Sequence, residues 1–289
     1  MIISIASGKG GTGKTTVAVN LALSLKDVQY MDCDVEEPNG HLFLKPQIDE
    51  RVSVGIPVPR VNESRCTYCG KCAETCEFNS IVVIKQKVLI FPELCHGCGG
   101  CSYICPVDAI EDVEREIGII EKGKAGNIEF VHGILNVGEP MAPPLIRTEK
   151  KFINNHKTVI IDSSPGTSCP VVQAVKGSDF CLLVTEPTPF GLNDLKLAVE
   201  MVRKLDIPLG LLINCSDIGD RKVWQYCEAE KIPILLEIPV DRRIAEAYSR
   251  GIPLLEELPE YIKRFQDLYY EIEKEGRRRE NEATDCNQW

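Results

Sequence analysis

The sequence predicts an α/β protein, a mostly parallel sheet with helices on both faces, carrying a small α+β insertion. Three observations predict this. Apolar runs of strand length alternate with helical segments along most of the chain, the rhythm of a parallel sheet covered on both sides. A glycine-rich string, "GKGGTGKTT" (Gly8 to Thr16), stands between the first such strand and the first helix. Eight of the 14 cysteines crowd between Cys66 and Cys105, where the rhythm stops.

The strand-like runs are Ile2–Ala6, Val28–Met31, Val159–Ile161, Phe180–Val184, Leu209–Ile213 and Ile234–Ile238. Helices are expected over Thr15–Leu25, Pro170–Val175, Leu192–Leu205, Arg221–Glu230, Arg242–Ser249 and Pro259–Glu275. The interruption lies between about Arg51 and Arg115, with a hairpin expected in "SIVVIKQKVLIF" (Ser80–Phe91). Two further strands, "IGIIE" and "IEFVHG", flank a loop over Lys122–Asn127 and bring the chain back. The expected organisation is residues 1–58 and 114–276 for the α/β domain, 59–113 for the insertion, and 277–289 for a polar, frayed tail. The 289 residues lie near the size at which one core stops growing, which suits one large domain plus an insertion.

The composition narrows the function. A net charge of −10 argues against a nucleic-acid partner, whose phosphates call for clustered Lys and Arg. No apolar stretch approaches the ~18–20 residues of a membrane span. The first strand begins at Met1, so a cytoplasmic protein without a leader is expected. In a reducing compartment, clustered cysteines read as metal ligands, not disulfides.

Gly8, Gly13, Lys14 and Thr15 fit G-x-x-x-x-G-K-[ST] in the context the motif needs, after a strand and before a helix. Backbone N–H groups of Gly8 through Thr16 (Gly10, Gly11 and Thr12 among them) would curl around phosphates at a helix N-terminus. Lys14 would reach the β/γ-phosphates and Thr15 would ligate Mg²⁺. The second lysine, Lys9, makes the string K-G-G-x-G-K-T-T resemble the deviant Walker A loop of the MinD/ParA/nitrogenase-reductase ATPases, P-loop NTPases of the SIMIBI class. The resemblance extends to "MDCDVEEPN", "VIIDSSPG", "LGLLIN" and "IPVDRRIAEAYSRGIP". It implies ATP/ADP and Mg²⁺ as cofactors and a dimer, either of identical chains or with a paralogue, closed across the nucleotide. Lys9 would reach the partner's phosphates. Asp34 would sit near Mg²⁺ and the attacking water, Asp162 would be an outer Mg²⁺ carboxylate, Asn214 would read the adenine, and Pro239 and Asp241 would flank it.

Cys66, Cys69, Cys72 and Cys76 form C-x₂-C-x₂-C-x₃-C, and Cys95, Cys98, Cys101 and Cys105 repeat it, followed by Pro106. This is the run of bacterial two-cluster ferredoxins, whose fourth cysteine ligates the other cluster. One [4Fe–4S] cluster would take Cys66, Cys69, Cys72 and Cys105, and the second Cys76, Cys95, Cys98 and Cys101. Zinc fits less well, because zinc sites pair two C-x₂₋₄-C knuckles. Cys76 is followed by Glu77 instead of proline, a departure confined to the local turn. The chain resembles MinD-like ATPases with an inserted ferredoxin module end to end.

Cys33, Cys181, Cys215 and Cys227 read as small core residues and Cys286 as incidental. Cys169, seven residues past Asp162, resembles a cysteine that in nitrogenase-reductase-like proteins helps hold a cluster at the dimer interface. A glycine displaced by one place and the lack of a second ligand favour an ordinary thiol. The stripe Tyr261, Ile262, Phe265, Leu268, Tyr269 and Ile272 reads as a helix packed on the sheet, since its polar face lacks the basic excess of a membrane helix.

The expected function is a nucleotide-gated dimer that couples ATP hydrolysis to electron transfer through two clusters. Its partner would be an unidentified redox protein or apo-metalloprotein. An Mrp-like ATPase of iron–sulfur assembly, carriage or metalloenzyme maturation is the alternative, and a positioning ATPase is the third.

Overall fold

In the computed structural model, residues 1–286 are described. The chain runs β1 (Ile2–Ala6), α1 (Lys14–Ser24), β2 (Val28–Cys33), α2 (Gly40–Leu44) and β3 (Gln47–Val61). Through the cysteine-rich lobe it forms α3 (Lys71–Thr75), β4 (Ile81–Ile84), β5 (Lys87–Ile90) and α4 (Gly100–Tyr103). It returns through β6 (Ile110–Ala125), β7 (Ile128–Leu135), α5 (Ala142–Glu149), β8 (Thr158–Ser163) and α6 (Cys169–Val175). It then continues as β9 (Phe180–Thr185), α7 (Pro189–Lys204), β10 (Leu209–Asn214), α8 (Lys222–Ala229) and β11 (Ile234–Ile238). Three helices close it, α9 (Arg242–Ser249), α10 (Leu254–Glu257) and α11 (Tyr261–Cys286).

The sheet order is β11-β10-β9-β1-β8-β2-β7-β6-β3. The strands from β11 to β7 are parallel, and β6 and β3 are added antiparallel. One face is covered by α1, α10 and α11, whose Leu21, Leu254, Tyr261, Phe265, Leu268 and Ile272 are buried against Ile3, Ile5, Tyr30 and Phe130. The other face carries α5, α6, α7 and α8 through residues such as Leu145, Val171, Leu195 and Val223. The apolar stripe of α11 is therefore spent on the core, apart from the exposed Ile262. Among the described residues no helix is long and apolar enough to cross a membrane.

Six strands and five of the six helices fall where the sequence puts them, within the few residues by which helix ends fray, whereas α11 runs on past the expected end at Glu275. Three features differ. The antiparallel arm was expected as two short strands around a loop at Lys122–Asn127. Instead β6 continues to Ala125 and turns within Gly126–Asn127. Its partner β3, 15 residues with Pro57 and Pro59, was not expected, because prolines count against a strand. As the edge strand of the sheet, β3 has N–H groups to spare there. The helix α5 hides behind Pro143 and Pro144, which occupy its first turn, where the N–H is not needed.

The expected hairpin in Ser80–Phe91 is β4 and β5. The β3–β6 ladder runs through Val58↔Val113 and Pro59↔Asp112 to Val61↔Ile110, so a two-stranded ribbon leads from the sheet to a lobe of residues 62–109. Helix α11 continues through the expected tail to Cys286, and residues 287–289 lie outside the described residues.

Candidate functional site

The loop between β1 and α1 starts α1 without a side-chain cap, leaving the first N–H groups of the helix free to face a ligand. Gly13, at φ 92° and ψ 21°, takes a left-handed conformation that only glycine adopts cheaply. A side chain at Gly8 would lie 2.1 Å from the Asp194 carbonyl oxygen, so glycine there lets α7 pack against the loop. Lys14 is nine-tenths buried behind the loop.

The carboxylates arrive from the ends of neighbouring strands. Asp32 in β2 and Asp162 in β8 stand opposite each other in the ladder and are fully buried. The Tyr30 hydroxyl donates to Asp162 Oδ2 at 3.2 Å. Burial raises the Asp162 pKa to about 6, although Lys14 and the Thr15 and Tyr30 hydroxyls pull it down. Burial likewise raises Asp34, against the pull of the nearby Ser164 hydroxyl and Lys14 ammonium.

Asp32, missed in the sequence, accepts the N–H of Asp34 at 3.3 Å and of Gly40 at 2.8 Å. It thereby holds the loop that carries Asp34. The signal available was the pair of alternate aspartates in "MDCD", of which Asp32 still belongs to the strand. Thr12 Oγ1, Asp162 Oδ1 and Ser164 Oγ are buried with no hydrogen-bond partner among the described residues. Orphaned buried oxygens are costly, and those beside a ring of N–H donors and Lys14 fit a hydrated Mg²⁺ and phosphates.

Other expected site residues are placed as follows. Lys9 Nζ lies 3.2 Å from Glu186 Oε2 in the same chain. Asn214 Nδ2 donates to the Thr12 carbonyl at 3.0 Å, bracing the loop from β10. Pro239 and Asp241 follow β11 next to β10. The Asp241 carboxylate caps α9 through the Arg243 N–H at 2.8 Å and pairs with the Arg243 guanidinium, which holds it below the usual range.

The cysteine lobe repeats itself at an offset of 29 residues, Cys66 to Cys95 and Cys76 to Cys105. Left-handed residues recur at that spacing: Tyr68 and Gly97, Gly70 and Gly99, Asn79 and Asp108. So do the N–H groups aimed at sulfur. Tyr68 donates to Cys66 at 3.4 Å and Gly97 to Cys95 at 3.4 Å; Ser80 donates to Cys76 at 3.3 Å and Ala109 to Cys105 at 3.2 Å. Cys66, Cys69, Cys72 and Cys105 line one small cavity with Val83 and Val88 of the hairpin. In the second set Cys95 is buried and Cys98 exposed, and Phe78 stacks on His96 at 3.5 Å between ring centres. Burial raises the Cys101 thiol to about 11, whereas the Lys71 N–H leads the groups that lower Cys69. Away from the lobe, Cys33, Cys181 and Cys227 are core residues, Cys215 is half-buried, and Cys169 is exposed at the start of α6.

The CobQ/CobB/MinD/ParA nucleotide binding domain matches residues 3–254 of this sequence. The chain belongs to that family. The resemblance to MinD and ParA ATPases thus holds for the family and for the mostly parallel P-loop sheet. This MinD/ParA-family chain is 32% identical over 277 residues to the uncharacterized protein MJ0579 of Methanocaldococcus jannaschii, covering 91% of this chain and 95% of that protein. It is 25% identical over 278 residues to the iron-sulfur cluster carrier protein of Aquifex aeolicus, covering 88% of this chain and 61% of that one. The fold is that of the septum site-determining protein MinD complexed with Mg-ADP from Pyrococcus horikoshii, at a TM-score of 0.59 and 21% identity over 94% of this chain and 96% of that one.

Proposed function

We propose that this protein is an ATP-hydrolysing iron–sulfur carrier that holds two [4Fe–4S] clusters on residues 59–113 and works as a dimer closed over Mg·ATP. The observation that carries the reading is the cavity shared by Cys66, Cys69, Cys72 and Cys105. The fourth thiol comes from the other repeat, as the crossed ligand scheme of two-cluster runs requires. Among the described residues no three His, Cys, Asp or Glu side chains could hold a single metal ion. Zinc fits the runs less well, because zinc sites pair two C-x₂₋₄-C knuckles instead of a triplet plus one.

At the nucleotide site, Lys14 and the loop N–H groups would neutralise the β/γ-phosphates, and Thr15 would hold Mg²⁺. Asp34 would orient the attacking water, with Asp32 fixing its loop. Asn214, Pro239 and Asp241 would lie beside the base. Lys9 would act on the nucleotide of a second copy, identical or paralogous. The first turn of α7 and the loops after β10 and β11 expose Phe190, Ile218 and Val240, which suits a face that another copy covers.

Carriage is favoured over electron transfer by the similarity to proteins named iron-sulfur cluster carriers and by Cys69 and Cys98, which are exposed to an acceptor. Electron transfer keeps one supporting observation: all eight thiols lie in one lobe, a complete ligand set that would retain its clusters. The test is anaerobic incubation of the cluster-loaded protein with an apo-[4Fe–4S] hydro-lyase, with and without Mg·ATP. Carriage predicts that hydro-lyase activity appears faster with ATP and that Asp34→Asn removes the acceleration. Clusters that stay in place while passing electrons would support the redox reading instead.

A further inference from the structure

We propose that Glu186 is a latch on Lys9: it holds the ammonium within its own chain, and closure of two copies over ATP opens it. The inference rests on the reading that Lys9 acts across a dimer. Both ends of the 3.2 Å ion pair are set by the fold. The Ser7 hydroxyl donates to the Lys9 carbonyl at 2.6 Å, fixing where the lysine side chain leaves the loop. Glu186 follows β9, which pairs with β1 through Ala6↔Leu183. Its carbonyl accepts the Thr188 N–H at 2.8 Å, and a side chain on Gly191 would lie 2.3 Å from that oxygen. The Thr188 hydroxyl in turn caps α7 by accepting the Gly191 N–H. Two adjacent strands and a capped helix therefore aim these side chains at each other.

The side chains are 30% and 20% exposed, so the pair can open without unfolding anything. A lysine engaged by Glu186 is unavailable to a second copy, and the apparent dimer affinity falls by the fraction of chains that are latched. Triphosphate on the partner offers Lys9 more charge than diphosphate does. The latch thus opens for ATP and holds for ADP.

Exposed and half-exposed ion pairs of this kind are worth about a 1.4- to 5-fold change in equilibrium, and two open per dimer, giving about two- to thirtyfold in the dimerisation constant. The experiment is sedimentation velocity of the full chain with a non-hydrolysable ATP analogue and with ADP, for wild type, Glu186→Gln, Glu186→Asp, Lys9→Ala and the double variant Lys9→Ala/Glu186→Gln. Glu186→Gln should strengthen analogue-driven dimerisation within that range and allow some dimer with ADP. Glu186→Asp should behave nearly as wild type, and Glu186→Gln should change nothing once Lys9 is alanine. If Lys9→Ala weakens the dimer while Glu186→Gln leaves it unchanged, the latch is overturned and the trans role of Lys9 survives. If Lys9→Ala has no effect, that underlying role fails and the latch with it. An equal effect of Glu186→Gln with and without Lys9 would make Glu186 a structural brace and overturn the latch.

Discussion

At Asp162, burial and a bound Mg²⁺ would pull one carboxyl group in opposite directions. Its pKa of about 6 in the folded chain exceeds the ~3.9 of an unfolded aspartate. The folded state therefore holds this proton more tightly. Its contribution to stability is complete below about pH 4 and declines as pH rises to about 6, by roughly 2–3 kcal/mol in total. Mg²⁺ favours the ionised form, so binding Mg·ADP near pH 6 should release a proton. Calorimetry in two buffers of different ionisation enthalpy measures this directly. The expected release is a substantial fraction of a proton at pH 6, less at pH 8, and lost in Asp162→Asn; equal release at both pH values would contradict the assignment. Glu186 and Asp32 escaped the sequence reading for a physical reason. The Glu186 contact with Lys9 exists only once β1 and β9 meet, and the Asp32 contacts with the Asp34 and Gly40 N–H groups only once the loop after β2 folds back on the strand.

Among the elements, those that repeat a local rule were legible, and those that depend on their neighbours were not. The strand–loop–helix of β1 and α1 announces itself through Gly8 to Thr16. The long β3 hides because Pro57 and Pro59 are tolerable only on an edge, and nothing local tells an edge strand from a loop. The cysteine runs were legible as spacing. The left-handed turns at Tyr68 and Asn79, matched at Gly97 and Asp108, add the backbone by which each half wraps its sulfurs. The crossed scheme predicts that Cys105→Ser will damage the cluster held by Cys66, Cys69 and Cys72, and spare the one held by its nearer neighbours Cys98 and Cys101. EPR of the reduced variant separates the two signals, and loss of the other cluster alone would reverse the ligand assignment.

At the scale of the whole molecule, one row of ionisable side chains crosses the sheet. Asp162, Asp32, His132, Glu121 and Arg51 are register partners on β8, β2, β7, β6 and β3. His132 Nε2 lies 2.9 Å from Glu121 Oε2, and Arg51 Nε 2.7 Å from Glu121 Oε1. From Glu121 the ribbon runs on to Ile110 at the lobe, roughly 35 Å of strand. The sheet that carries the phosphate-binding loop and the cysteine lobe are thus joined by continuous hydrogen-bonded strands, with ion pairs at Glu121, instead of a linker. Nucleotide should alter amide exchange in the lobe, and Glu121→Gln should shrink that change while leaving nucleotide affinity largely in place. A change of equal size in the variant would move the coupling elsewhere. By reciprocity, loading the lobe must shift nucleotide affinity by the same factor. All of this presupposes that the lobe holds clusters, which metal and sulfide analysis of anaerobically purified protein decides most directly. The account predicts about eight iron and eight sulfide per chain, with a broad visible absorption that bleaches on reduction. Stoichiometric zinc without sulfide would contradict it.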